Sequence, residues 1–263
     1  MQHFPATELS IPARYCGPPS SGNGGWSAGA LAALIQHDCP DNRAERWPVI
    51  EVTLRQPPPL DAPMSVTGAD DGSIVAAFGG APVLSARVLA DDTLSPVDEV
   101  SPEQARAAEP TYAGHRSHPF PGCFACGVDR EQGDGLRIFP GVVDQVEGLA
   151  RVAATWTPHP SVQEDFHEYV DEHGRASLAA TWAALDCVGG WAGDLEERLM
   201  VLGRMTAAVD ALPAIGEEHV VVGQGRGHQG RKTFTASTLY DADGRVVARA
   251  EHTWIAIDPA SFT

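Results

Sequence analysis

The chain has 263 residues, enough for one large domain or two of ordinary size, and its hydrophobic content of 43% is typical of a globular protein. Acidic residues outnumber basic ones by 35 to 18, and the formal charge of −17 argues against nucleic acids or anionic membranes as partners. The N-terminus lacks the order of a signal peptide and no uncharged apolar run could span a bilayer, so we predict a cytoplasmic protein. Its five cysteines are odd in number and sparse, which suits a reducing compartment better than a disulfide framework.

The first part of the chain is predicted to form a strand, a helix and a run of strands. The short strand is predicted at residues 7–14, and a helix of small residues follows at 26–35 after a turn rich in glycine and proline. Beyond the helix, apolar segments predict four strands, at residues 49–56, 64–69, 74–78 and 81–89. Proline-rich and Asp-Gly turns between them indicate hairpin connections.

Residues 92–145 differ in composition from both flanking parts. Residues 98–110 are charged and rich in alanine, which predicts a short helix, and the stretch to residue 140 is dense in glycine and proline. We interpret this part as a connection longer than an ordinary loop. The predicted organisation is an N-terminal unit at 1–95, a connecting segment at 96–145 and a C-terminal unit at 146–263.

The C-terminal unit repeats the order of the first. A strand at residues 149–156 and an acidic loop precede a helix at 176–192, and four strands follow, at residues 202–208, 218–223, 232–240 and 245–257. A proline turn and an Asp-Gly hairpin signal recur between these strands. The chain is therefore interpreted as a degenerate repeat of two units.

The helix at residues 176–192 is apolar nearly all round, yet it carries one carboxylate, Asp186. The pair Gly189 and Gly190 is expected to close this helix. A lone carboxylate there is costly unless it is paired, hydrated or functional, and a position late in a helix is unfavourable for the helix dipole. The two interpretations are a functional Asp186 and an aspartate at a frayed helix end.

Helices too apolar to face water, each followed by hairpin-connected strands, predict an α+β fold in which an antiparallel sheet curls round each helix. Two such units present exposed sheet edges. These edges are expected to pair with each other.

Short motifs in both units resemble those of the hotdog-fold thioesterases. They are Asn23-Gly-Gly-Trp-Ser-Ala in the first unit, and Trp182-Ala-Ala-Leu-Asp-Cys-Val-Gly-Gly-Trp-Ala with Gly203-Arg-Met-Thr in the second. The resemblance covers most of both units and implies a double hotdog, with two antiparallel sheets that each wrap round a central helix and join as a pseudo-dimer. It also implies an acyl-thioester substrate, usually acyl-CoA, between the units, and no cofactor. We further expect the chains to form homodimers.

The resemblance implies that Asp186 acts as general base or nucleophile in thioester hydrolysis. It also implies that backbone N–H groups at the start of the first helix, at Gly25 and Trp26, hold the carbonyl oxygen, with Asn23 and Gly24 contacting the substrate. The alternative is that these glycines only form a tight turn. One site per chain is expected, because the first helix carries no carboxylate and the second begins without a glycine pair.

Thr206 and a basic loop are further candidates for the site. The resemblance implies that Thr206 orients the attacking water, and the alternative is an ordinary strand threonine. The densest basic cluster in this acidic chain comprises Arg226, His228, Arg231 and Lys232. A basic loop that contains glycine can bind the phosphates of CoA, and the alternative is a solvated hairpin.

Two histidines and two cysteines offer donors for a zinc ion, namely His115, His118, Cys123 and Cys126. The spacing between the two pairs is shorter than in standard zinc sites, and relatives carry a similar Cys-x-x-Cys-Gly without a catalytic metal. We therefore expect an ordered loop between the units rather than a metal site. Cys187 is expected to be a buried packing residue, because the sequence places no histidine to activate it.

Hydratases and dehydratases that share this fold use Asp-x-Asn-x-x-His-like or Gly-His-Phe-Pro motifs, which do not occur here. The nearest segment, Asp165-Phe-His167, has the wrong spacing. The remaining alternative to a thioesterase is a non-catalytic acyl-CoA binding protein. Hydrolysis that depends on Asp186 would separate these two functions.

Overall fold

The computed structural model describes residues 7–35, 47–163 and 173–258 of the chain. Cys39 and the Asp165-Phe-His167 segment lie outside the described residues. Within the described part, no helix combines the length and the apolar character needed to cross a membrane.

The described chain contains helices α1 (Gly24–Ala32), α2 (Pro102–Ala108) and α3 (Leu178–Ala192). Its strands are β1 (Thr7–Leu9), β2 (Ile50–Leu54), β3 (Met64–Gly68), β4 (Ile74–Phe78), β5 (Ala81–Val88), β6 (Gly141–Val146), β7 (Leu149–Trp156), β8 (Met200–Val209), β9 (His219–Gln229), β10 (Lys232–Tyr240) and β11 (Val246–Ala256). Strands β4, β7 and β10 occupy the predicted ranges at both ends.

Three strands differ from the prediction by more than two residues. β1 stops at Leu9, because a short 3-10 helix, Ala13–Tyr15, replaces the rest of the predicted strand. β9 continues to Gln229, because it pairs with β10 along its whole length although its glycines weaken the local strand signal. β6 was not predicted at all, and it forms in the connecting segment by pairing with β7.

The described strands β1 to β11 form one antiparallel sheet, in the order β1-β3-β4-β5-β2-β8-β11-β10-β9-β7-β6. The halves meet where β2 pairs with β8, with Val52 opposite Met205, so the predicted edge-to-edge pairing is confirmed. The prediction of two sheets is corrected to one continuous sheet, because β2–β8 hydrogen bonds join them. The order β3-β4-β5-β2 in the first half matches β9-β10-β11-β8 in the second, as the sequence repeat requires.

The two long helices share one face of this sheet. α1 contacts β2, β5 and β8, while α3 contacts β7 to β11, and the two helices also pack against each other. The main core lies between them and the sheet and includes Leu31, Leu84 and Trp182. α2 covers a smaller core with Val222 and Tyr240, which is separate from the main core.

Every residue of α3 is buried. The helix ends at Ala192, as predicted, but Gly189 and Gly190 lie inside it and do not close it. A Cβ atom at Gly189 would lie 2.7 Å from the His252 ring, so this glycine permits close approach of the helix to the sheet rather than ending the helix. Asp186 therefore lies in the helix interior, and the frayed-end interpretation is wrong.

α1 runs antiparallel to α3 and packs closely against it at two glycines, Gly25 and Gly29. A Cβ atom at Gly25 would lie 2.7 Å from the carbonyl oxygen of Trp182, and one at Gly29 would lie 2.8 Å from Cα of Ala179. Only hydrogen atoms fit between the backbones at these points. This close crossing brings the start of α1 against Asp186.

Candidate active site

Asp186 lies where the two halves of the chain meet, and it is 2% exposed. Its Oδ2 atom accepts hydrogen bonds from the Gly25 backbone N–H at 2.8 Å and from the Asn23 side-chain amide at 3.2 Å. Its Oδ1 atom is buried and has no hydrogen-bond partner among the described residues. One oxygen is thus fixed by the start of α1, while the other is left without a hydrogen bond in the described part of the chain.

Burial raises the pKa of Asp186 to about 7. The Gly25 N–H and the Asn23 amide oppose this rise because their hydrogen bonds favour the carboxylate, whereas the charge of Cys123 adds to it. A carboxylate with a pKa near neutrality can accept and return a proton at physiological pH.

The start of α1 lies against Asp186 and borders the space beside it. Asn23 caps the helix, since its Oδ1 atom accepts the Trp26 N–H at 2.8 Å. Gly25 and Trp26, which were predicted to hold a carbonyl oxygen, thus already donate their N–H groups to protein atoms. Gly24 lines the adjacent cavity, and its N–H has no acceptor among the described residues. An amide for a bound oxygen is therefore available at Gly24.

A cavity of about 220 Å³ lies beside Asp186. Its walls come from the start of α1, from α3, β8 and β11, and from the loops at residues 54–58 and 118–126, so both halves contribute. Leu54, Met200, Leu202 and Trp254 give it an apolar lining. The exposed Arg55 also borders it, which puts a positive charge at its opening. Arg55 was not predicted as a site residue, because its segment of the sequence indicates only the end of a strand.

Thr206 does not line this cavity. The preceding Met205 is fully buried in the core under the helices, so Thr206 faces the other side of the sheet. There it lies between Glu51 on β2 and Glu251 on β11. The predicted role of Thr206 in orienting water is therefore corrected, because the sheet separates its side chain from Asp186.

The predicted basic cluster forms the exposed tip of the β9–β10 hairpin, outside the cavity. Arg231 donates two hydrogen bonds to the carbonyl of Ala256, at 3.0 and 2.9 Å, which ties the tip to β11. Lys232 pairs in register with Ile255, and Ile255 borders the cavity. The tip, with its exposed Arg226, His228 and Lys232, is thus at the same end of the strands as the cavity.

Sulfur atoms of three cysteines meet beside Asp186. The Sγ atoms of Cys123, Cys126 and Cys187 all lie within 4.8 Å of one another, and Cys126 Sγ is 3.4 Å from His118 Nε2. His115 is exposed and contacts Tyr112 and Phe139 with its ring. Of the four residues considered as zinc donors, the structure brings Cys123, Cys126 and His118 together, with Cys187 beside them in place of His115. The sequence alone could not place Cys187 beside Cys123, because the two residues are 64 positions apart.

The chain resembles solved structures of the hotdog fold along almost its whole length. A conserved protein of unknown function with a hot dog fold from Alicyclobacillus acidocaldarius shares 14% identity at a TM-score of 0.61, with 97% of each chain covered. The acyl-CoA thioesterase II TesB2 from Mycobacterium marinum shares 13% at 0.60, with 99% of this chain and 96% of that chain covered. A tesB protein from Mycobacterium avium subs paratuberculosis shares 12% at 0.57, with 97% of each covered.

No protein-family model and no curated protein matches the sequence. At these identities the likeness shows the fold. The resemblance seen in the motifs is thereby confirmed at the level of the hotdog fold.

Proposed function

We propose that the protein hydrolyses the thioester of an acyl-CoA, or of a related acyl thioester, at one site between its halves. The observation that carries this proposal is Asp186, a buried carboxylate beside a cavity. The start of α1 holds one of its oxygens, and the other has no partner among the described residues. The fold supports it, because the acyl-CoA thioesterase II from Mycobacterium marinum has a similar one. We also infer that the two halves of the sheet form a pseudo-dimer of hotdog units.

In the proposed reaction Asp186 is the general base. Its Oδ1 atom accepts a proton from a water molecule, whose oxygen attacks the carbonyl carbon of the thioester. The Gly24 N–H, at the positive end of α1, stabilises the charge that develops on the carbonyl oxygen. The tetrahedral intermediate then collapses, the C–S bond breaks, and the departing thiolate takes the proton from Asp186.

The size of the cavity suggests the length of the acyl group. Its volume of about 220 Å³ is below the range of roughly 300–1,000 Å³ that is common for small-molecule pockets. The apolar lining by Leu202 and Trp254 suits a hydrocarbon group. We therefore expect short acyl groups to be hydrolysed faster than long-chain ones.

The test is release of free CoA from a panel of acyl-CoA substrates that runs from acetyl to palmitoyl. We expect turnover to be fastest for short acyl chains. The Thr206→Val variant should have the same rate as the wild type, since Thr206 faces away from the cavity. Absence of hydrolysis across the panel would overturn the proposal. If one acyl-CoA nevertheless raised the melting temperature, non-catalytic binding would be the function.

The β9–β10 hairpin tip is proposed to bind the phosphates of CoA. Replacing Arg226 and Lys232 together with alanine is expected to raise the KM for acyl-CoA about 5- to 20-fold with little change in kcat, because the lost contacts act on binding alone. Steady-state kinetics with the preferred acyl-CoA measure this.

A control for charge is Arg245→Ala, which removes an exposed arginine at the β10–β11 turn, at the opposite end of β10. It should leave KM unchanged. An acyl-pantetheine, which lacks the nucleotide phosphates, should show the same KM with the hairpin variant and the wild type. An equal rise in KM for both substrates would rule out phosphate binding by the hairpin.

A further inference from the structure

Three buried sulfur atoms form a cluster that the proposed hydrolysis does not use. Cys123 Sγ and Cys187 Sγ are 3.7 Å apart, and Cys126 Sγ lies within 4.8 Å of both. Two thiolates at about 2.3 Å from one tetrahedral zinc ion lie about 3.8 Å apart. The spacing of Cys123 and Cys187 therefore already matches that of two zinc ligands.

The loop from Cys123 to Cys126 is a tight turn that aims both sulfurs at one point. The Gly127 N–H donates to the carbonyl of Cys123 at 2.9 Å, and a Cβ atom at Gly127 would lie 2.4 Å from that same oxygen. Only glycine fits there. Hydrogen bonds from the side chains of Cys126 and Cys187 lower the pKa of Cys123 most, and the backbone N–H groups of Cys126 and Ala125 lower it further. Amide donors of this kind also support metal-bound thiolates.

Side-chain donors complete the surroundings of the sulfurs. The Asn23 amide nitrogen lies 3.7 Å from Cys123 Sγ and 3.7 Å from Cys187 Sγ. The neighbouring guanidinium of Arg130 donates instead to Cys16, at 3.2 Å. Buried thiolates require a compensating positive charge, and the hydrogen bonds to them supply only dipoles.

His118 is a hydrogen-bond donor to this cluster rather than a fourth ligand. Its Nδ1 atom accepts the Phe120 N–H at 2.9 Å, so the neutral ring carries its proton on Nε2. That N–H faces Cys126, with Nε2 at 3.4 Å from Sγ and 3.1 Å from the carbonyl oxygen. The ring therefore supports the Cys126 thiolate from outside the cluster.

We propose that Cys123, Cys126 and Cys187 bind one Zn²⁺ ion as three thiolates, with the fourth coordination position open to the cavity. All three residues border that cavity. Each thiol that ligates releases its proton to solvent as the ion binds. Soft sulfur donors select zinc over magnesium or calcium, and three protein ligands leave one position of the tetrahedron free. The site does not depend on the proposed hydrolysis.

The test is the metal content of the full chain, purified without a polyhistidine tag or chelator and measured by mass spectrometry of the elements. We expect about one zinc per chain in the wild type and less than about a tenth of that in Cys126→Ser and Cys187→Ser. Cys16→Ser is the matched control, because Cys16 is a nearby thiol outside the cluster, and it should retain the zinc. Equal zinc in all variants would overturn the proposal.

A second measurement does not depend on variants that fold poorly. Wild-type protein stripped of metal and titrated with Co²⁺ should develop the ligand-field and sulfur-to-cobalt bands of tetrahedral thiolate coordination. Their absence, or a Cys123–Cys126 disulfide in freshly purified protein seen by intact mass, would overturn the proposal. His118→Ala should keep most of its zinc, and a loss as complete as in Cys187→Ser would contradict the open fourth position.

Discussion

Replacing Asp186 with asparagine is expected to lower kcat for acyl-CoA hydrolysis by about 10²- to 10⁴-fold, with little change in KM. Asparagine has the same shape and can still accept the Gly25 N–H, but it cannot take a proton from water. Because burial raises the pKa of this carboxyl, a neutral side chain also removes the cost of burying a charge above pH 7. The variant should therefore be far less active than the wild type and no less stable.

Rates of CoA release and thermal melting curves, measured on the same preparations, check both parts of this expectation. Asp71→Asn is a control for the substitution itself, because Asp71 lies in the exposed β3–β4 turn and does not line the cavity. Zinc content should not change in Asp186→Asn, which separates failure of the hydrolytic proposal from failure of the metal proposal. Wild-type turnover in this variant would remove Asp186 from the mechanism.

Local patterns in the sequence were sufficient for much of the fold. Hairpin turns and apolar segments located β4, β7 and β10 at both ends, since these strands follow strong turn signals. The family resemblance also implied that Asp186 and Gly25, which are 161 positions apart, belong to one site, and the structure brings the two residues together. This proximity could be predicted because the motif resemblance supplied the long-range geometry, which composition and periodicity do not contain.

The parts that could not be predicted depend on register and on contacts distant in sequence. Alternation along β8 shows only that Thr206 and Met205 face opposite sides of the sheet. Which side each one faces depends on the packing of Met205 in the core under the helices. The role of Cys187 depends on a loop that folds back to α3 from 64 residues earlier in the chain. Local sequence also cannot show that the acceptor of the Gly25 N–H is Asp186 itself, because the two residues are 161 positions apart.

Gly29→Ala is expected to destabilise the protein by about 2–4 kcal/mol, although in an ordinary helix the same change would stabilise it by up to about 1 kcal/mol. A Cβ atom at Gly29 would lie 2.7 Å from Cβ of Trp182 and 2.8 Å from Cα of Ala179. The backbone of a buried helix cannot move away from the added Cβ atom as the end of a flexible side chain can. The two helices must therefore separate, and the melting temperature should fall by about 5–10 °C.

The same separation should reduce activity, because Gly29 lies one turn along α1 from the Gly25 amide that holds Asp186. A shift of the start of α1 lengthens that hydrogen bond and moves Gly24 away from the cavity. Gly122→Ala is the matched control, since a Cβ atom there meets no atom within 4 Å, and it should leave both melting temperature and rate unchanged. If Gly29→Ala instead melted at or above the wild-type temperature, the close crossing of α1 and α3 would not be what positions the site.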